Sequence, residues 1–297
     1  MTLPRFRMSL TVAFLAVCPF VARPAFSSGG ASSTPLTAQQ VIDRIKAKAG
    51  GSWDGNTVDT FKAGDPNTPV TGIVTSFMST LDVLQRAAAS GRNLIITHEP
   101  TFYNHLDKLD DLQGDPVVSA KQEFILQHHL VIWRFHDHFH LTNRDGIMRG
   151  MTDALGWQKF KSPSNEHLFT FPETTVAALS ADIKKRLNIR TMRVVGNPEM
   201  KLTQIGFLPG ASGAAKQIKM LERDDVEALL IGEAPEWETI SYARDAVTEG
   251  KHKALIILGH TVSEESGMRY CAEWLKSFLP GIPIEFIPAG EPFWTPQ

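Results

Sequence analysis

Apolar residues along this chain alternate between two patterns. Short continuous apolar runs at 71–77, 93–97, 130–135, 204–208, 226–231 and 254–258 read as strands buried on both faces, with 193–195 a shorter one. Between them the spacing turns helical. Val41, Ile42 and Ile45 share one face after Thr37-Ala38-Gln39-Gln40, which has the form of a capping box. Thr80 can cap a helix that stops at Gly91, and another helix ends near His128. Further helices are predicted over 146–156, closed by a glycine, over the strongly amphipathic 174–187, over 238–248 and over 266–278. The tail, 282–293, is proline-rich and extended. Strands and helices in alternation predict the α/β class.

Chemistry gathers where these strands end. The strand at 254–258 runs into Gly259-His260-Thr261-Val262-Ser263-Glu264, which sets an imidazole and a carboxylate one helical turn apart. The strand at 93–97 runs into His98-Glu99-Pro100, and that at 130–135 into His136-Asp137-His138-Phe139-His140. Open α/β sheets place their ligands at the carboxyl ends of strands. Seven of the ten histidines fall between His98 and His140, a density that points to a metal site. Neutral imidazole is the commonest metal ligand near neutral pH, and carboxylates beside it allow two cations to share an oxygen. Mixed nitrogen and oxygen donors suit zinc, iron or manganese better than calcium.

Each position also has an ordinary reading. Thr261 and Glu264 have capping-box spacing, and His98-Glu99-Pro100 can simply open a loop. His128 and His129 suit a helix end, while His105, His167 and His252 stand in polar surroundings typical of a surface. Gly210-Ala211-Ser212-Gly213 joins a strand to a helix, lacks the spacing of a P-loop and reads as a tight turn. Ser212 has no histidine partner in sequence.

Composition narrows the picture. The 297 residues carry a formal net charge of −2, enough chain for one large domain or two small ones. That balance gives no field for nucleic acid or an anionic membrane, and Lys184-Lys185-Arg186 is a solvated helix face. Arg5 and Arg7, the apolar run 9–22 and Ala25-Phe26-Ser27 make 1–27 a secretory signal, with a Ser/Gly/Ala-rich tether over 28–36. The protein is therefore expected to be exported, periplasmic or secreted, with no membrane attachment once the signal is removed. Leu15-Ala16-Val17-Cys18 approaches a lipoprotein box, but Val17 is bulky where a small residue belongs. Loss of Cys18 with the signal leaves Cys271 alone, without a disulfide partner and suited to a buried apolar position.

Taken together, these motifs resemble the dinuclear-metal-centre hexameric family, whose members are called type 2 GTP cyclohydrolase homologues or Ngg-interacting-factor-three-like proteins. The similarity runs from about Thr37 to Pro292. It rests on 94–100, on 146–157, on Gly210 to Gly213, on Ile231-Gly232-Glu233 and above all on 259–264. The resemblance implies two similar, intertwined α/β halves, six chains in a ring and two divalent metal ions. The expected division is 37–157 plus 238–297 as the metal-binding half and 158–237 as the second half. His98, His260 and Glu264 correspond to family ligands, and Glu99 takes the place of a second histidine. His136 opens the family's central motif. His140 stands where an aspartate is expected, and Asp137 is the neighbouring carboxylate that can replace it. A histidine that the family carries after its glycine–glutamate segment is missing, and Trp237 lies near its place. The implied activity is metal-dependent hydrolysis of an amide-like, ester or phosphoester bond in a small molecule, with Glu99 or Glu264 moving the proton. The alternative is a non-enzymatic metal-binding scaffold or metal-handling oligomer. Opening of the GTP ring is the activity that the family's name carries.

Overall fold

Thr37 caps the first helix as its sequence predicts: its hydroxyl accepts from Gln40 N–H, and the Gln40 side chain accepts from Thr37 N–H. Helix α1 (Ala38–Ala49) follows and buries Val41, Ile42 and Ile45. The structure is a computed structural model that describes Met1 and residues 35–296, save Asp54, Asn143 and Arg144. The expected signal segment beyond Met1, and the tether up to Thr34, lie outside the described residues. Pro35–Gln297 form one compact unit.

The first half continues with β1 (Phe61–Ala63), β2 (Ile73–Ser76), α2 (Leu81–Ala89), β3 (Leu94–Thr97), α3 (Pro116–Gln127), β4 (Val131–Arg134), α4 (Asp137–Leu141) and α5 (Gly146–Leu155). The second half holds β5 (Leu168–Thr175), α6 (Val176–Leu187), β6 (Arg193–Val195), β7 (Lys201–Leu208), α7 (Ala214–Leu221), β8 (Ala228–Ile231), a π-helical turn at Glu236–Ile240, α8 (Ser241–Thr248), β9 (Ala254–Ile257) and α9 (His260–Lys276). Strand β10 (Ile284–Phe286) then crosses back to pair in parallel with β2.

The described residues build two five-stranded sheets, ordered β1-β4-β3-β2-β10 and β5-β7-β8-β9-β6. The first has four parallel strands, β10-β2-β3-β4, with antiparallel β1 at one edge, and the second has three, β7-β8-β9, with antiparallel β5 and β6 at its two edges. The expected α/β fold of two similar, interlocked halves is what the chain adopts. The grouping of 238–297 with the first half needs correction. Strand β9 bonds to β8 and β6 in the second sheet, and it is β10 that returns to the first. An apolar strand carries no signal of its partners, whereas the short β8-α8-β9 crossover fits the usual adjacent placement of consecutive parallel strands. The helix expected over 174–187 starts two residues late, because Thr174 and Thr175 end β5 and Thr175 then caps α6.

The central parallel strands of both sheets are covered on both faces, which explains their near-continuous apolar runs. Val74, Ile95 and Ile132 face α2 and α3, while Ile73, Leu94, Ile96 and Trp133 face the other way. Leu229, Ile231 and Leu255 face α7 and α8, and Ala228, Leu230 and Ile256 join the same central core as the inward side of the first sheet. Helices α5 and α9 lie in that core and touch through glycines. A Cβ on Gly150 would fall 2.3 Å from the Ser266 carbonyl oxygen, and one on Gly267 2.5 Å from Ile147 Cδ1. Cys271 is buried there, as expected. Among the described residues no helix is long and apolar enough to cross a membrane.

Candidate metal centre

The carboxyl ends of the parallel strands in both sheets meet at one place. His98 and Glu99 follow β3, His136 follows β4, His140 lies one turn into α4, and His260 and Glu264 open α9 after β9. Three of these positions carry imidazoles close together: ring centroids of His98 and His136 lie 4.5 Å apart, His98 and His140 4.9 Å, and His136 and His140 5.2 Å. Ligand atoms of His98, His136 and His140 lie within 4.8 Å of one another, as do those of His98, Glu99 and Glu264.

The ring orientations are set from behind. His98 Nδ1 donates to the Phe135 carbonyl (3.2 Å), and His136 Nδ1 to Asp137 Oδ1 (2.8 Å). His140 Nδ1 donates to Asp145 Oδ2 (2.7 Å), and His260 Nδ1 lies 3.3 Å from Glu233 Oε1. Each ring therefore has Nδ1 on an oxygen acceptor, which leaves Nε2 for the centre, the arrangement that outer acceptors impose on metal-binding histidines. His260 Nε2 sits 3.2 Å from Glu264 Oε2 and 3.3 Å from Glu99 Oε1. His136 Nε2 lies 3.7 Å from Glu99 Oε1.

The donor set fits a cation on one further observation. His98 is fully buried, its Nε2 makes no hydrogen bond, and that atom stands 3.5 Å from Glu264 Oε2. With Nδ1 donating, Nε2 presents a lone pair to a carboxylate, a repulsion that a positive ion between them would remove. Burial, then the neighbouring His136 and His140, hold His98 well below the usual histidine value, so it stays neutral. Burial alone would also lower His260, but Glu233, Glu264 and Glu99 outweigh it and push His260 up to about 12. Three carboxylates around one imidazole amount to an excess of negative charge at the centre of the site.

Not every predicted residue turns inward. Asp137 stands behind His136: Oδ2 accepts from Thr57 Oγ1 (2.8 Å) and Val58 N–H (3.1 Å), while Oδ1 holds His136. Burial would raise its carboxyl, but these bonds, His136 first, bring it down to about 2. The His140 ring instead lies beside His98 and His136, because α4 turns positions 136 and 140 to the same side. His138 points away, with Nδ1 on Asp59 (2.7 Å), Nε2 on the Ser52 carbonyl (3.0 Å) and its ring stacked on Trp53. Glu264 is not a helix cap either. Gly259 occupies the cap position, and the Glu264 carboxylate is buried among the histidines.

Sequence reasoning missed the supports. Asp145 both caps α5, accepting from Ile147 and Met148 N–H, and orients His140; an aspartate directly before a predicted helix was the available signal. Asp59 accepts from the backbone N–H of His136, Asp137 and His138 and fixes the entry to α4. Arg134, a charge ending an apolar strand, is fully buried and donates to Glu99 Oε2 (3.0 Å), His98 O (3.0 Å) and His105 O (2.6 Å). Gly210 has φ +63°, and a Cβ there would lie 2.2 Å from Glu264 Oε1 and 3.2 Å from His260 Nε2. The turn is glycine because the site needs the room. His105 and His167, expected as ordinary surface residues, line the same cleft, while His128 ends α3 as expected. That cleft has a volume of about 1140 Å³, opens to solvent and reaches Glu99, His136, His140, His260 and Glu264.

Fold and site together define a two-sheet α/β protein with a histidine- and glutamate-lined candidate metal centre between its halves. The chain belongs to the Duf34/NIF3 (NGG1p interacting factor 3) family, whose model matches residues 36–292. A GTP cyclohydrolase 1 type 2 homolog of Chlamydia pneumoniae is 20% identical over 242 residues, covering 78% of this chain and 89% of that protein. Among solved structures, a Bacillus cereus protein related to NIF3 aligns with a TM-score of 0.69 at 15% identity, over 89% of this chain and 100% of that one. A Staphylococcus aureus hypothetical protein aligns at 0.66 and 18% identity, over 88% and 99%. At these identities the structural likeness speaks for the fold.

Proposed function

We propose that this protein is a metal-dependent hydrolase with a centre for two divalent cations, zinc, iron or manganese, acting on an amide-like, ester or phosphoester bond. The observation that carries the reading is the set of four imidazoles held through Nδ1, with Nε2 of His98, His136 and His260 close to two buried glutamates in an open cleft. His98, His136, His140, His260 and Glu264 would hold the ions, with Glu99 beside them. Bound divalent cations supply Lewis acidity toward a water molecule and toward an acyl or phosphoryl oxygen. Glu99 is the chain's proton carrier. Arg134 engages its Oε2, and Oε1 stays directed at the centre between His260 and His136. Burial would raise its carboxyl, but His260, His136 and Arg134 hold it below the ordinary value, so it stands ready as an acceptor. Glu264 positions His260 and His98 and offers a second acceptor.

Metal content of the purified chain, read with hydrolysis of ester, phosphoester and cyclic-amide panels with and without chelator, tests this reading. The expected result is chelator-sensitive turnover on one panel that disappears in His260→Ala. Metal-loaded protein inert on every panel would instead favour the scaffold. Glu264→Gln keeps the shape and removes the charge, so unchanged metal content in that variant would remove Glu264 from the ligand set. The basic, apolar and small-residue order of 1–27 supports export, read as a mature chain that starts near residue 28. The hexamer that the resemblance implies is read as six chains by light scattering.

A further inference from the structure

Outside the metal centre, the mouth of the cleft is apolar. Leu81, Tyr103, Leu141 and Phe293 all line it, and they are 38%, 59%, 78% and 62% exposed. Large apolar side chains gathered in one concavity mark a binding surface more than scattered ones do. Two of the four stand on anchored segments. Tyr103 takes φ +56°, a conformation uncommon for a bulky residue. The loop that holds it is tied down by Asp107, which accepts from Thr101 N–H (2.6 Å) and Phe102 N–H (2.7 Å), and by Arg134 on the His105 carbonyl. Phe293 follows Glu291, whose carboxylate accepts from Arg190 N–H (2.7 Å) and Thr191 N–H (2.9 Å), while Arg86 holds the Pro288 carbonyl (2.5 Å).

Charge decides what this mouth can take. Among the described residues lining the cleft, Glu99, Asp137, Asp145, Glu233, Glu264 and Glu291 face two lysines. Lys121 is buried and donates to the Thr101 carbonyl, and Lys216 stands exposed on α7. Two divalent cations would bring six negative and two positive charges to zero, not to a positive field. A polyanionic group therefore meets no excess of positive charge there, whereas an uncharged apolar group meets a matching wall.

We infer that the cleft mouth is a subsite for an uncharged, apolar acyl or aryl group joined to the bond that the centre hydrolyses. The bond rests on the hydrolase reading; the binding of the apolar group does not. Two probes separate them on the full chain: N-phenyl-1-naphthylamine, an uncharged apolar fluorophore, and n-alkyl hydroxamates from acetohydroxamate to octanohydroxamate. The fluorophore should bind with or without zinc and be displaced by octanohydroxamate at far lower concentration than by acetohydroxamate. On zinc-loaded protein, hydroxamate affinity should rise roughly two- to fourfold per methylene. Phe293→Ala, and Tyr103→Asn, which tolerates the left-handed backbone, should each lower the ratio of octano- to acetohydroxamate affinity at least about tenfold. A flat series on protein that binds acetohydroxamate overturns the subsite, and so does a slope untouched by both substitutions. If zinc adds nothing to acetohydroxamate binding while the slope persists, the hydrolase reading falls and the subsite stands.

Discussion

The two halves share a plan, a run of parallel strands with an antiparallel border, yet they treat their strand ends differently. In the first half β3 and β4 end in donors: His98, Glu99, His136 and, one turn on, His140. In the second, β7 and β8 lead into Gly210 and Gly232, and among its parallel strands β9 is the one followed by donors, His260 and Glu264. A Cβ on Gly232 would lie 2.5 Å from Ser263 Oγ and 2.6 Å from Gly210 N, so these glycines nest together beneath Glu264. The first half furnishes most of the candidate ligands, and the second furnishes His260, Glu264 and the space they occupy. Similar folds therefore do not make similar contributions to a site, and what a strand end leaves out matters as much as what it presents.

The sharpest break of this division is Gly210→Ala. A methyl group 2.2 Å from Glu264 Oε1 must displace that carboxylate, and metal affinity should fall roughly a hundredfold by competition titration. An unchanged affinity would mean that the second half does not supply room. Next in size is the contrast between the outer acceptors. Asp145→Asn should cost roughly tenfold or more in affinity, and Glu233→Gln less, because the Asp145 side chain is 13% exposed and that of Glu233 54%. Equal losses would say that burial does not set the worth of the acceptor.

A third effect lies in the braced loop of the first half. Burial brings Lys121 down to about 8, with Asp107 opposing. A lysine in the unfolded chain keeps its proton to about pH 10.4, so between these values the unfolded state binds more protons and stability from this group rises with pH. Denaturant titrations should show wild type gaining roughly 1–2 kcal/mol relative to Lys121→Met between pH 8 and pH 9.5; a difference that stays level would refute the burial. Smallest is Thr37→Ala, which removes the α1 cap far from either set of strand ends. It should cost about 1 kcal/mol and leave metal content alone, which separates loss of stability from loss of the site.

Sequence made the elements legible where local chemistry dominates. Apolar runs marked the parallel strands β2, β3, β4, β7, β8 and β9, and Thr37, Thr80 and Gly156 marked helix ends. Three strands escaped. β1 is short and half-buried at an edge, β5 breaks its alternation around Pro172, and β10 lies in a proline-rich tail and exists through its pairing with β2. His98, Glu99, His136, His140, His260 and Glu264 were readable because strand ends and helical spacing converge on them. That Asp137 turns outward was not, since it depends on Thr57 and Val58, some eighty residues earlier. The roles of Glu233 and Asp59 were hidden for the same reason: their partners are distant in the chain.

The backbone contact between Gly150 and Gly267 acts at a distance. Helix α9 starts at His260 and meets α5 two turns later, about 10 Å along its axis. Hydrogen atoms in place of methyl groups thus hold the imidazole and Glu264 at their depth. Any added carbon at that crossing would be a shim, sliding the whole rod and retuning the candidate centre without touching one of its side chains.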